Sequence, residues 1–115
     1  MPAPTHILIV RLSHLGDVVH ALPVYEAVRA AHPTARVGWV VQPEFADLVR
    51  ELPGLAACIE FERRGGAGAW LRLRERLAAF GADWVIDAQG NWKSAVVCLA
   101  SGAPRRTGLA RRDWR

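Results

Sequence analysis

The chain has 115 residues, a net charge of +4 and an apolar content of 51%. That length holds one domain with a real core, and that composition is an ordinary globular one rather than a disordered or fibrous one. The aliphatic run Ile7 to Val10 is far shorter than a membrane span, and Met1-Pro2-Ala3-Pro4-Thr5 lacks the basic start of a signal peptide, so a cytoplasmic protein is expected.

Ile7 to Val10 reads as a strand buried on both faces of a parallel sheet. The loop Ser13-His14-Leu15-Gly16 follows, and Asp17 stands where it can N-cap a helix from Val18 to about Ala31. Val18, Ala21, Leu22, Tyr25 and Val28 recur at helical spacing, and Pro23 predicts a kink past the first turn. Val37 to Val41 is a second strand. Pro43 opens a short helix to about Leu52, with Phe45, Leu48 and Val49 expected inward, and Pro53-Gly54 stops it.

Ala57 to Phe61 reads as a third strand, and Gly65 to Gly68 as a flexible loop. Trp70, Leu73, Leu77 and Phe80 then share one helix face, which Gly81 terminates. Asp83 to Asp87 is a fourth strand. Asn91 can cap a last helix with Ala95, Val96, Leu99 and Ala100 inward, and Ala103 to Leu109 is the weakest strand, holding Pro104 and Gly108. Strands and helices alternate throughout. The expected fold is therefore an α/β, Rossmann-like parallel sheet with helices on both faces, and functional groups should gather at the carboxyl ends of the strands, beside strand one.

The loops after strands one, three and four qualify, carrying Asp17, Arg63 with Arg64, and Gln89 to Lys93. Asp17 could serve as a general base toward a hydroxyl, or simply as a cap. Gly16 lets a backbone come close to a ligand or turn tightly; Ser13 and His14 could bind a polar group. In the stretch Asp87 to Ser94, Gln89 and Asn91 can bond sugar hydroxyls. Lys93, the sole lysine, sits in a first helical turn, where free amides already favour an anion. Arginines cluster at Arg63, Arg64, Arg72, Arg74 and Arg76, and again at Arg105, Arg106, Arg111, Arg112 and Arg115. Such clusters suit phosphates, acidic sugars or anionic membranes, and equally suit solvated helix faces. No nucleic-acid module, dinucleotide fingerprint or Walker loop is present. Cys58 and Cys98 read as reduced core residues, and no ligand spacing supports a metal site.

Taken together, Ile7 to Pro23, Trp39-Val40-Val41 with Phe45-Ala46, Arg63-Arg64 and Val85 to Ala95 resemble the lipopolysaccharide heptosyltransferases of glycosyltransferase family 9, the type adding the first heptose most of all. The resemblance implies a GT-B enzyme of two Rossmann-like halves. Residues 1–115 would be the N-terminal, acceptor-binding half, with the donor-binding half absent. It implies Asp17 as the catalytic base and an inverting transfer of heptose from ADP-heptose to the Kdo of lipid A, with no cofactor or metal. The implied acceptor-binding residues are Ser13, His14, Gly16, Arg63, Arg64, Gln89, Gly90 and Lys93. The expected partners are Kdo-lipid A, ADP-heptose held by the missing half, and the inner face of the inner membrane as a peripheral surface, without nucleic acid. The rival expectations are a non-catalytic α/β module that holds an anionic glycolipid or nucleotide, and a family 9 transferase adding a later sugar.

Overall fold

The computed structural model describes residues 3–12, 15–62 and 64–108, with the side chains of all of these except 15–17. The elements run β1 (His6–Val10), α1 (Leu15–His20), α2 (Leu22–Ala31), β2 (Arg36–Val41), a 3-10 turn (Pro43–Phe45), α3 (Ala46–Arg50), β3 (Ala57–Glu60), α4 (Gly66–Phe80), β4 (Trp84–Asp87), α5 (Trp92–Ala100) and β5 (Arg105–Gly108). All five strands are parallel, in the order β3-β2-β1-β4-β5. The chain winds outward from β1 to β3 and then returns to place β4 on the other side of β1. That reversal is the switch point the sequence predicts beside strand one, and ligand-binding crevices form at such points.

The alternation along β1 explains its aliphatic run. Ile7 and Ile9 enter a core with Val18, Ala21, Tyr25, Val28, Trp39 and Val49, beneath α1, α2 and α3. Leu8 and Val10 enter the opposite core with Leu73 and Leu77 of α4 and Val97 and Cys98 of α5. From Ile7 to Val10 both faces of the strand are covered, so no polar position is tolerated there. Trp39 is wholly buried on the first face. Gly38 faces the second, where an added Cβ would lie 3.0 Å from the Phe80 ring.

Several boundaries fall where the local signals place them. Gly81 ends α4 in the left-handed conformation, with φ 67°. Asn91 caps α5: its side chain accepts from the Ser94 amide at 3.0 Å, and Ser94 Oγ accepts from the Asn91 amide at 3.1 Å. Asn91→Ala is expected to cost about 0.5–2 kcal/mol, read from urea unfolding, because it orphans that amide. The helix with Pro23 breaks at Ala21, so the expected single helix is two, with Pro23 in the first turn of the second.

Other expectations are corrected. Asp17 is not an N-cap: α1 begins at Leu15, two residues earlier, and Asp17 lies within its first turn. Gly66 and Gly68 belong to the first turn of α4 rather than to a flexible loop. Val49 is buried as expected, but Leu48 is exposed and Ala46 turns inward instead, because the 3-10 turn before α3 advances three residues per turn and shifts the phase of the face. On α5, Val96 and Leu99 face out, while Ser94, Val97 and Cys98 are buried. That helix is apolar around most of its circumference, so spacing alone leaves its inward side undetermined. β5 is a short, exposed edge strand, held to β4 by the Trp84 indole donating to Thr107 Oγ1 at 2.9 Å and by the Arg105 guanidinium 3.8 Å from the Trp84 ring centroid.

Candidate functional site

The carboxyl edge of the sheet brings together the segments that follow β1, β3 and β4. After β4 the backbone turns sharply over a buried carboxylate. Asp87 Oδ1 accepts from the amides of Gln89 at 3.0 Å and Gly90 at 2.9 Å. Gly90 holds φ at 79°, which a side chain would strain. This turn delivers the chain to the Asn91 cap and fixes where α5 starts.

The segments after β1 and β4 are tied to each other. Gln89 Oε1 accepts from the Leu12 amide at 2.7 Å, while Gln89 Nε2 donates to Asn91 Oδ1 at 3.1 Å. In return, Arg11 Nη1 donates to the Ala88 carbonyl at 2.5 Å. From the other side, the Trp39 indole donates to the Arg11 carbonyl at 3.2 Å, and the Gln42 amide donates to the Leu12 carbonyl at 2.9 Å. Arg11 and Leu12 thus enter the Ser13 to Asp17 stretch clamped from both neighbouring strands.

A second feature lies where the ends of β3 and β4 face the helix layer of α4 and α5. Phe61, Arg64, Trp70, Trp92 and Lys93 line a cavity of about 320 Å³. Phe61 and Trp70 meet edge to face, with centroids 4.7 Å apart. Trp92 is 71% exposed and has Lys93 Nζ 5.7 Å from its ring centroid. Among the described residues no carboxylate lines the cavity, and those that do present aromatic walls and two cations. Such a site suits an anionic group on an apolar or sugar-ring body.

A larger groove, about 870 Å³, runs between α4 and the free edge of β3. Its charges are mixed, with Arg36, Arg72 and Arg76 beside Glu60, Glu62 and Glu75. Arg76 donates to the Cys58 carbonyl at 3.0 Å, and Arg50 pairs with Glu60. These contacts blunt an exposed sheet edge. We therefore assign the groove no ligand, and Arg72, Arg74 and Arg76 read as an exposed helix face.

Of the residues singled out in the sequence, Arg64 and Lys93 come together in the aromatic cavity, while Gln89 and Gly90 shape the turn beside it. Gly16 and Asp17 lie in α1, and the side chain of Asp17 is outside the described residues. Ser13, His14 and Arg63 lie outside the described residues, as do Leu109, Arg111, Arg112 and Arg115. Sequence reasoning gave Trp70 only a place on the apolar helix face and Phe61 only a place in a strand, and singled out neither Arg11 nor Trp92 as a site residue. For Trp92 a signal existed, since an aromatic beside the only lysine in a first helical turn sits at a strand mouth. For Arg11 none did.

Both cysteines are free thiols. Burial, with the Asp87 charge behind it, pushes Cys98 up to about 12, and burial also raises Cys58. Neither is a ready nucleophile. No group of three or more potential metal ligands occurs among the described residues.

Comparison with known proteins settles the family. Residues 70–114 match the profile described as Glycosyltransferase family 9 (heptosyltransferase). Lipopolysaccharide heptosyltransferase 1 of Pseudomonas aeruginosa is 35% identical over 114 residues, which take in 91% of this chain and 32% of that protein. This chain belongs to glycosyltransferase family 9.

Solved family 9 structures carry the same fold. A glycosyl transferase of family 9 from Veillonella parvula superposes with a TM-score of 0.81 at 24% identity, over 97% of this chain and 35% of that one. An Escherichia coli heptosyltransferase, solved with ADP-2-deoxy-2-fluoro heptose, gives 0.71 at 29% identity, over 92% of this chain and 43% of that one. The five-stranded parallel sheet is thus part of the GT-B architecture of this family. The chain spans about a third of the length of the curated heptosyltransferases it matches.

Proposed function

We propose that this family 9 chain is the acceptor-binding part of a heptosyltransferase that moves heptose from ADP-heptose to the Kdo of lipid A. The observation that carries the reading is the cavity in which Arg64 and Lys93, 29 positions apart in the chain, meet over aromatic walls at the sheet's carboxyl edge. The chemistry fits an acceptor whose phosphates or Kdo carboxylate meet the two cations and whose sugar rings lie on Trp70 or Trp92. Arg63, Ser13, His14, Gly16 and Gly90 belong to the same acceptor-facing set.

In this reading Asp17 is the general base. Its carboxylate takes the proton from the acceptor hydroxyl as that oxygen attacks the anomeric carbon from the face opposite the leaving group. The new C–O bond forms while the bond from the anomeric carbon to the ADP oxygen breaks, and ADP leaves with the electron pair. The configuration at that carbon inverts. ADP-heptose is a substrate, held by the part of the full-length enzyme beyond this chain, and neither a cofactor nor a metal has a step in the scheme. A lipid-anchored acceptor would bring the enzyme to the inner face of the inner membrane as a peripheral protein. Among the described residues, no helix is long and apolar enough to cross it.

The test is transfer by the full-length enzyme from ADP-heptose to Kdo-lipid A, with a heptose-bearing core offered as a competing acceptor. Transfer to Kdo-lipid A is expected; transfer to the heptose-bearing core alone would move the assignment to a later sugar, and binding without turnover would make the chain a holding module. Arg64→Ala with Lys93→Ala should raise the acceptor KM by about 10²-fold or more, as expected for two charge-assisted contacts of roughly 1.5 kcal/mol or more each, and leave the KM for ADP-heptose unchanged.

A further inference from the structure

We infer that Gln89 is a positioning residue, whose side-chain amide latches the segment leading into Asp17 to the turn after β4. The inference rests on the reading of Asp17 as the base. Leu12 is the last described residue before the stretch that leads into α1, and Asp17 lies five positions on. Its carbonyl is held by the Gln42 amide, a backbone contact that any side-chain substitution on β4 leaves in place. Its amide is held by Gln89 Oε1 at 2.7 Å, across 77 positions of sequence.

The latch is itself held in register. The Gln89 amide is pinned to Asp87 Oδ1, and Gln89 Nε2 to Asn91 Oδ1, the atom that caps α5. One side chain therefore couples the start of α5, where Lys93 sits, to the approach to α1, where Asp17 sits. A base and an acceptor clamp carried on separate loops need a fixed separation, since misplacement of reacting groups by about 1 Å costs on the order of 10²-fold in rate. Gln89 fixes that separation by acting on Leu12 and Asn91, both protein groups.

Two variants test it. Gln89→Leu removes the bonds to Leu12 and Asn91 at similar volume. Gln89→Glu keeps an acceptor for the Leu12 amide and replaces the donor to Asn91 Oδ1 with a second acceptor oxygen. In the full-length enzyme Gln89→Leu should lower kcat about 10- to 100-fold with the acceptor KM little changed. Gln89→Glu should recover most of that loss. Amide hydrogen exchange at Leu12 should quicken in Gln89→Leu and stay slow in Gln89→Glu. A raised acceptor KM with unchanged kcat would overturn the inference, since Gln89 would then be touching the acceptor. Unchanged Leu12 exchange in Gln89→Leu would overturn it too. If the wild-type enzyme transfers no heptose, the proposed function fails, and the exchange comparison alone still decides whether the latch exists.

Discussion

Asp17→Asn in the full-length enzyme is expected to lower kcat by roughly 10²- to 10⁴-fold, the range that a positioned general base contributes. Asparagine keeps the size and polarity of the side chain and removes its basicity. The fold makes this substitution easy to interpret. Because α1 starts at Leu15, Asp17 is not the N-cap of its helix. The remaining structural cost is the loss of a negative charge in the first turn, about 0.3–1 kcal/mol. Heptosyl transfer and urea unfolding measured on the same preparation separate the two effects. Turnover within a fewfold of wild type would remove Asp17 from the role of base.

Trp39→Ala should destabilise the domain by about 3–5 kcal/mol, the range for large aromatic truncations in a core. Against a total of about 5–15 kcal/mol for a domain, that is a large share. Trp39 is wholly buried, and its ring lies 6.1 Å from that of Tyr25. Its indole also donates to the Arg11 carbonyl at 3.2 Å. Trp39→Phe retains most of the packing and drops only that bond, so it should cost about 1–3 kcal/mol through the orphaned carbonyl. Urea unfolding followed by circular dichroism measures both. Equal costs for the two variants would mean that the hydrogen bond, rather than the ring, carries the effect. Through Arg11, the same bond links the core to the segment that approaches Asp17.

Much of this molecule was written into local sequence. The run from Ile7 to Val10 is aliphatic at every position, which only a strand buried on both faces requires, and both cores receive it. Pro23, Gly81 and Asn91 act through their own backbone geometry or their own side chain within three or four residues, so their effects survive any tertiary context. The Asp87 turn is of the same kind, because its acceptor and both donors lie within four residues. Resemblance of the Gly16-Asp17 and Asp87 to Ala95 stretches to family 9 pointed to the same enzymes that comparison of the whole chain then identified.

Other features depended on what lies opposite. The inward side of α5 was decided by the sheet, since Trp92, Val96 and Leu99 are as apolar as the Val97 and Cys98 that are buried on the side facing β4 and β1. Leu48 turned outward because a 3-10 turn reset the phase before α3. Gln89 read as an amide able to bond a sugar hydroxyl; only the fold shows that its oxygen accepts from Leu12 and its nitrogen donates to Asn91. Arg64 and Lys93 were two separate cations until the sheet order placed β3 and β4 within reach of one cavity. By itself, then, the sequence determined the alternation of strands and helices, the helix ends and the residues able to do chemistry, because these depend on local geometry and on burial. Only the tertiary structure decided which of those residues meet, because contacts across 29 or 77 positions exist only once the strands have been ordered.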